Sequence, residues 1–308
     1  LGALQSFINR KYEDFYALKN ISININDGEI VGILGENGAG KTTLIKLLIG
    51  LLHPSSGEVS INGFIPWERK YSFLKKISVV MGQKNQLWWD IPASESFLLN
   101  QKIYEIPKSD YNKILNELVD LLDVREKLNV QVRRLSLGER MKMEIIAALL
   151  HNPKIVLLDE PTIGLDVISQ SKIRDFIKYY NEQYQTTFIL TSHYMNDIQA
   201  LCKRVFVMHK GKGLYDGDFN ELVNKVNPKR KLVFQFLEKP NQNLINKLLK
   251  TFHFDIKDTI ISAELPDNEL TKLVSELFQI GNAASITLED LPVEDTMRSF
   301  FLNPENFL

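Results

Sequence analysis

Polar and apolar residues alternate along Lys19-Asn20-Ile21-Ser22-Ile23-Asn24-Ile25, and the turn Asn26-Asp27-Gly28 follows. This period of two predicts that residues 1–34 form an antiparallel β-layer. The layer feeds Glu29-Ile30-Val31-Gly32-Ile33-Leu34, whose continuous apolar run predicts a buried strand. Leu44 to Ile49 changes to helical spacing and closes at Gly50. His53 to Gly57 reads as a turn, Glu58 to Gly63 as a hairpin arm, and Ile77 to Met81 as a short strand ending at Gly82-Gln83. From about residue 84 to 150 apolar positions recur at helical spacing, as in Tyr111, Ile114, Leu115, Leu118, Leu121 and Leu122. A helical insertion therefore separates two strands. The second, Ile155-Val156-Leu157-Leu158, runs into the acids Asp159 and Glu160. An amphipathic helix to about Gln185, a buried strand Thr187 to Ser192, a hairpin from Arg204 through Gly213 and a short helix Asn220 to Lys225 complete this part.

Asn227-Pro228-Lys229-Arg230-Lys231 reads as a linker. Beyond it the pattern is strand (Leu232 to Leu237), helix (Asn241 to Thr251), two strands (Phe252 to Ile256, Thr259 to Leu265), helix (Asn268 to Gln279) and strand (Ala284 to Leu288). That βαββαβ order is the ferredoxin-like arrangement. Two domains are expected, residues 1–225 with the helical subdomain at about 84–150, and a small α+β domain at 226–308. The second carries no catalytic constellation and reads as a packing or oligomerisation module.

Composition narrows the function classes. The 308 residues are 44% hydrophobic and 24% charged, with formal net charge −1, so nothing global points to nucleic acid. Cys202 is the single cysteine, which forbids an internal disulfide and fits a reducing compartment. No apolar run approaches the roughly 18 residues of a spanning helix, and no signal-peptide pattern is present. The first residue is Leu1, so the natural start is expected upstream. Work at a membrane would require a partner.

The chemistry concentrates in Gly35-Glu36-Asn37-Gly38-Ala39-Gly40-Lys41-Thr42-Thr43, set between the first buried strand and a helix. Strand, glycine loop and helix form the context of a phosphate-binding P-loop, whose backbone N–H groups turn inward around an anion at a helix N-terminus. In this pattern Lys41 reaches the β- and γ-phosphates, the Thr42 hydroxyl ligates Mg²⁺ and Thr43 touches the α-phosphate. Asp159 and Glu160 face opposite ways on an extended chain. Asp159 suits the Mg²⁺ surroundings, and Glu160 suits a base for an attacking water. Gln83 and His193 each sit where a strand gives way to loop, the usual place for site residues in open α/β sheets. Ser136 with Glu139 three residues on makes a capping box. Tyr12 and Phe15 are candidates to stack on a purine, the alternative being packing within the β-layer.

Taken together, these stretches resemble the ATP-binding cassette of an ABC transporter over about residues 3–220. Gly35 to Thr42 matches the Walker A loop and Ile155 to Glu160 Walker B. Gln83 matches the Q-loop, His193 the switch histidine, Gly164-Leu165-Asp166 the D-loop and Tyr12 the adenine-stacking aromatic. Leu135 to Arg140 matches the signature Leu-Ser-Gly-Gly-Gln, with Leu137 in place of the first glycine and Glu139 in place of the glutamine. Ser136 and Gly138 are kept. The resemblance implies a P-loop NTPase fold with a mixed sheet, an antiparallel β-layer and a helical insertion. It implies ATP and Mg²⁺ as ligands, with Thr42, Gln83 and Asp159 around the metal. Two cassettes, identical or related, would close head to tail, each ATP lying between one P-loop and the other subunit's Ser136, Gly138, Glu139 and Asp166. Glu160 would polarise the water, His193 hold the γ-phosphate and Gln83 report to a polytopic permease. The protein would then work peripherally at the cytoplasmic face of the membrane. The stretch Met143 to Pro153 and the C-terminal domain resemble the exporter branch. An importer ATPase and a soluble non-transport ABC ATPase are the alternatives. In the family, the groove beside the Q-loop receives a permease helix, so at least one of Trp88 and Trp89 is expected to be exposed and to anchor it.

Overall fold

The computed structural model describes residues 15–82, 84–192, 194–302 and 304–307. Its residues group into two compact units. One holds the chain before residue 194 with Ala200–Asp216, and the other holds Tyr194–Gln199 and Gly217–Leu308.

The first unit is built on a sheet of β1 (Ile30–Gly35), β2 (Ile77–Met81), β3 (Ile155–Asp159), β4 (Thr187–Thr191), β5 (Arg204–His209) and β6 (Lys212–Asp218), in the order β2-β3-β4-β1-β5-β6. The pairs β2/β3, β3/β4, β4/β1 and β1/β5 are parallel. Parallel strands are covered on both faces, which explains the unbroken apolar runs: β4 is buried at every position. Lys210 and Gly211 both take positive φ between β5 and β6, the conformation a two-residue hairpin turn requires. α1 (Lys41–Leu48) follows β1 and packs Leu44 and Ile45 into a core with Ile33, Leu157, Ile189 and Phe206.

The expected β-layer differs. Ile21, Ile23 and Ile25 do pack against this core, but residues 15–29 carry no strand among the described residues. Alternation sets which side chains turn inward; a ladder also needs a neighbouring strand to accept its hydrogen bonds. Likewise, the hairpin arm after Gly57 reduces to the single bridge Ile61–Phe64.

α2 (Tyr71–Leu74) precedes β2; the helical insertion comprises α3 (Ala93–Ile103), α4 (Lys108–Leu122) and α5 (Leu137–Leu149), and α6 (Val167–Tyr184) follows β3. α4 buries Tyr111, Leu118, Val119 and Leu122, as its spacing requires, and leaves Leu121 exposed. Just beyond α5 the His151 ring stacks on Tyr104, with centroids 3.8 Å apart and planes 6° from parallel. Burial disfavours the imidazolium and draws the His151 pKa from 6.5 down to about 4. The folded state thus holds a neutral ring that the unfolded chain protonates. The stability contributed is complete above pH ~6.5 and is lost as pH falls toward about 4. That interval corresponds to roughly 3 kcal/mol. Urea unfolding should show a drop of roughly 2 kcal/mol between pH 7 and pH 5 from this site, absent in His151→Phe, which keeps a stacked ring. Equal pH dependence in the two proteins would contradict it.

In the second unit, α8 (Phe219–Val226) packs against α11 (Val293–Leu302). This helix, assigned from the sequence to the first domain, therefore groups with the second. Between them lie β7 (Lys229–Phe236), α9 (Gln242–Leu248), β8 (Asp255–Lys257), β9 (Ile260–Pro266), α10 (Asp267–Ile280) and β10 (Ala283–Asp290). The βαββαβ order closes into an antiparallel sheet β10-β7-β9-β8 around a core of Leu232, Phe234, Phe236, Ile261 and Leu273. α7 (Met195–Leu201) follows β4 in sequence.

Candidate nucleotide-binding site

Parallel pairing brings strand ends to one edge. Met81 pairs with Asp159, Asp159 with Thr191, and Thr191 with Ile33. The loops after β1, β2, β3 and β4 therefore leave the sheet together, at the carboxyl edge where open α/β sheets bind ligands.

The loop after β1 is the P-loop. Gly40 caps α1 at φ 105°, and a Cβ there would stand 2.6 Å from Leu18 Cδ2 and 2.8 Å from the Ala17 carbonyl oxygen. Only glycine fits this turn. No side chain caps α1 and its first turn holds no acid, so the N-terminal N–H groups remain available to an anion. Gly38 and Ala39 complete the turn, Ala39 N–H donating to the Glu36 carbonyl at 3.1 Å. Asn37 and Thr42 are exposed and Thr43 is half-buried. Lys41 is buried, and its Nζ donates to the carbonyls of Gly35 (2.7 Å) and Glu36 (3.1 Å). Desolvation pulls its pKa below the usual lysine range, while Glu160, Asp159 and Glu36 oppose that shift. A buried ammonium whose two named acceptors are neutral carbonyls is matched to a polyanion.

The acids at the end of β3 are held from β4. Thr191 Oγ1 donates to Asp159 Oδ1 at 2.7 Å. Glu160 N–H donates to both the carbonyl oxygen and Oγ1 of Thr191, each at 3.1 Å. Glu160 takes φ 56°, a left-handed backbone uncommon for glutamate and characteristic of functional sites. Gly82 N–H donates to the Asp159 carbonyl at 2.8 Å, which ties the start of the Gln83 loop to the acid pair. Gln83, His193 and Tyr12 themselves lie outside the described residues. Phe15 is 86% exposed and takes no part in β-layer packing.

The donor set suits Mg²⁺. The Thr42 hydroxyl and the Asp159 carboxylate are hard oxygen ligands, and among the described residues no group of three or more His, Cys, Asp and Glu forms a metal cage. An ion held by few protein oxygens and by substrate phosphates is the usual magnesium arrangement in phosphoryl transfer. When bound, it would neutralise charge on the phosphates.

A second cluster sits on α5 and α6. Ser136 caps α5 by the expected box: its Oγ accepts from Glu139 N–H at 3.2 Å, and its N–H donates to Glu139 Oε2 at 2.9 Å. Glu139 Oε1 pairs with Lys127 at 3.0 Å. The Ser136 N–H bond is the main cause holding the Glu139 pKa below the ordinary range. Gly138 faces Ser169, where a Cβ would lie 2.6 Å from Ser169 Oγ. Asp166 caps α6, accepting from Ser169 N–H at 2.9 Å and from its hydroxyl at 2.7 Å. Both carboxylates are thus engaged within the chain: Glu139 orients Ser136, and Asp166 starts α6.

Two participants escape a reading of the sequence. Thr191 is one. The other is Glu144, buried in α5, whose carboxylate accepts from the N–H groups of Gln86 (3.0 Å) and Leu87 (3.3 Å). Burial raises its pKa, against the pull of these two bonds. The available signals were a hydroxyl ending the apolar run Phe188-Ile189-Leu190 and an acid, Glu144, heading the apolar C-terminal half of α5.

The P-loop after β1, the acid pair at the end of β3 and the parallel strand β4 between them define a P-loop nucleoside triphosphatase. Residues 18–163 match the family model described as ABC transporter. The chain is 34% identical over 218 residues to the ABC transporter ATP-binding protein NatA of Bacillus subtilis (strain 168), covering 70% of this chain and 88% of that protein. It is 30% identical to the bacitracin transport ATP-binding protein BcrA of Bacillus licheniformis, covering 96% and 94%. It is 34% identical to the methionine import ATP-binding protein MetN of Bacillus subtilis (strain 168), covering 74% and 67%. A dimeric structure of the cassette MJ0796 bound to ADP and Pi superposes with TM-score 0.60 at 28% identity, over 68% of this chain and 94% of that one. The chain belongs to the ATP-binding cassette family of transporter ATPases. It is an ATPase subunit of a transporter and uses ATP and Mg²⁺.

Proposed function

We propose that this ATPase powers export through a separate membrane permease, as one half of a head-to-tail cassette dimer at the cytoplasmic face of the membrane. One observation carries the direction: the match to the bacitracin transport protein spans 96% of this chain and so includes the C-terminal domain, whereas the match to the methionine import protein spans 74%. The second copy is identical or a related cassette, and residues 226–308 act as an accessory domain of the assembled subunit. Among the described residues no helix is long and apolar enough to cross a membrane.

In the closed dimer Lys41 and the P-loop N–H groups hold the triphosphate, with Thr43 at the α-phosphate and Tyr12 on the adenine. Ser136 and Gly138 of the facing subunit complete the γ-phosphate contacts, their loop positioned by Glu139 and Asp166. Glu160 accepts a proton from water as the water oxygen bonds to the γ-phosphorus and the bond to the β,γ-bridging oxygen breaks. His193 holds the γ-phosphate, and Thr42, Asp159 and Gln83 surround the metal. Catalysis arises from preorganised charge that is complete only when both halves close.

The test is transport. Inside-out vesicles carrying this subunit and its permease should accumulate labelled bacitracin, the probe taken from the full-length relative, when given ATP. Accumulation only in right-side-out vesicles would establish import, and co-purification with ribosomes or DNA ends without a permease would establish the soluble alternative.

The permease contact makes a separate prediction. Trp88 and Trp89 are 62% and 45% exposed. Their loop is not slack: Arg133 N–H donates to the Trp89 carbonyl (3.0 Å), Val132 N–H to Ile91 (3.2 Å), and the Arg140 guanidinium lies 5.4 Å from the Trp89 ring centre. Two rigidly presented tryptophans have the character of interface anchors. Trp88→Ala or Trp89→Ala should leave basal hydrolysis unchanged and weaken permease binding by about 2 kcal/mol, roughly 30-fold. Retention of both variants on immobilised permease at wild-type level would place the docking surface elsewhere.

A further inference from the structure

We propose that Thr191 is a positioning residue for both acids of the site, and that its hydroxyl sets how tightly the metal is held. The proposal rests on the roles given above to Asp159 and Glu160. Thr191 ends a strand whose preceding residues are Phe188, Ile189 and Leu190, and it is completely buried. A hydroxyl buried in such surroundings is costly unless its hydrogen-bonding capacity is met. Here it is met on both sides. The single proton goes to Asp159 Oδ1 (2.7 Å), and a lone pair receives Glu160 N–H (3.1 Å). The direction of the chain of bonds is therefore fixed, because one hydroxyl has one proton and the backbone N–H can only donate.

This geometry has two effects. The bond to Oδ1 fixes the Asp159 carboxylate about its side-chain torsions, leaving the other oxygen oriented by default toward whatever the first does not face. The bond from Glu160 N–H helps hold that residue at φ 56°, a conformation the chain would otherwise leave. Both partners are adjacent in sequence, yet their common anchor is a neighbouring strand, paired by the register Asp159–Thr191. Partners one bond removed from a metal-binding carboxylate typically change metal affinity or activity by about 10–100-fold when removed.

The experiment compares Thr191→Val, which keeps the branched shape and loses the hydroxyl, with Thr191→Ser, which keeps the hydroxyl. Calorimetry gives ATP affinity in EDTA and its gain as Mg²⁺ is added, and steady-state assays give the Mg²⁺ needed for half-maximal hydrolysis. In Thr191→Val the Mg²⁺ requirement should rise about 10–100-fold in both readouts, with ATP affinity in EDTA unchanged. Thr191→Ser should behave as wild type. A normal Mg²⁺ requirement in Thr191→Val overturns the proposal, as does an equal loss of affinity with and without Mg²⁺, which marks a merely structural role. So does failure of Thr191→Ser to restore the wild-type requirement. If Thr191→Val does not fold, Thr191→Ala against Thr191→Ser isolates the same oxygen atom. Asp159→Asn separates the two levels of inference. If it keeps the full Mg²⁺-dependent gain, the assignment of Asp159 fails; if it loses that gain while Thr191→Val is silent, only the role of Thr191 fails.

Discussion

Lys41→Ala will lose nearly all hydrolysis, by at least about 10²–10³-fold, the scale on which removal of one preorganised electrostatic contact acts in a water-excluded site. Lys41 Nζ is buried against two carbonyl oxygens of its own loop and lies within the field of Glu160, Asp159 and Glu36. These groups hold the ammonium in the loop before nucleotide arrives, so little reorganisation remains when the phosphates do. The substitution removes the point charge that would face the phosphates. Lys41→Arg should fail as well, because a planar fork cannot occupy the same narrow position between the Gly35 and Glu36 carbonyls. The fold should survive, since β1 and α1 are anchored by Ile33, Leu44 and Ile45. Thermal unfolding therefore provides the control. At saturating Mg·ATP, near 100 times Kd, wild type should gain about 2.7 kcal/mol of stability, and Lys41→Ala should gain almost none. Near-normal turnover in this variant would remove the P-loop assignment.

Glu160→Gln should lower turnover by about 10²–10⁴-fold, the usual contribution of a positioned base, while leaving ATP binding intact. The amide keeps the size of the side chain and leaves untouched the backbone N–H bonds to Thr191 that maintain the left-handed turn. What is lost is the ability to take a proton from water. ATP should then close two cassettes without releasing them. Gel filtration with Mg·ATP should show a dimer that wild type does not accumulate and that disappears when ADP replaces ATP. Wild-type turnover would contradict the base assignment. A monomer at high protein concentration with bound ATP would contradict the head-to-tail closure.

These two variants test residues that the sequence marks locally. Gly35 to Thr43 are consecutive, and every group in the cradle belongs to one strand, one turn and one helix start. The capping box of Ser136 and Glu139 is local for the same reason, as its bonds span three residues. The C-terminal βαββαβ pattern was legible because each element is amphipathic with its own period. The antiparallel order β10-β7-β9-β8 then follows the ferredoxin-like arrangement.

Other features were settled only by contacts distant in sequence. The strand order placed β3 beside β4, and so set Thr191 against Asp159 and Glu160 across 32 and 31 positions of chain. Glu144 found its donors 58 and 57 residues away, at Gln86 and Leu87. Alternation at Ile21, Ile23 and Ile25 correctly turned three side chains toward the core, but no strand formed among residues 15–29. The physical reason is the same in each case. Periodicity and capping are properties of neighbouring residues and are written in their order. A hydrogen bond between strands, or from a buried carboxylate to a remote loop, depends on which surfaces the packed core leaves adjacent. This sequence therefore determined its phosphate cradle and its elements by itself, while tertiary packing decided what holds the acids beside that cradle.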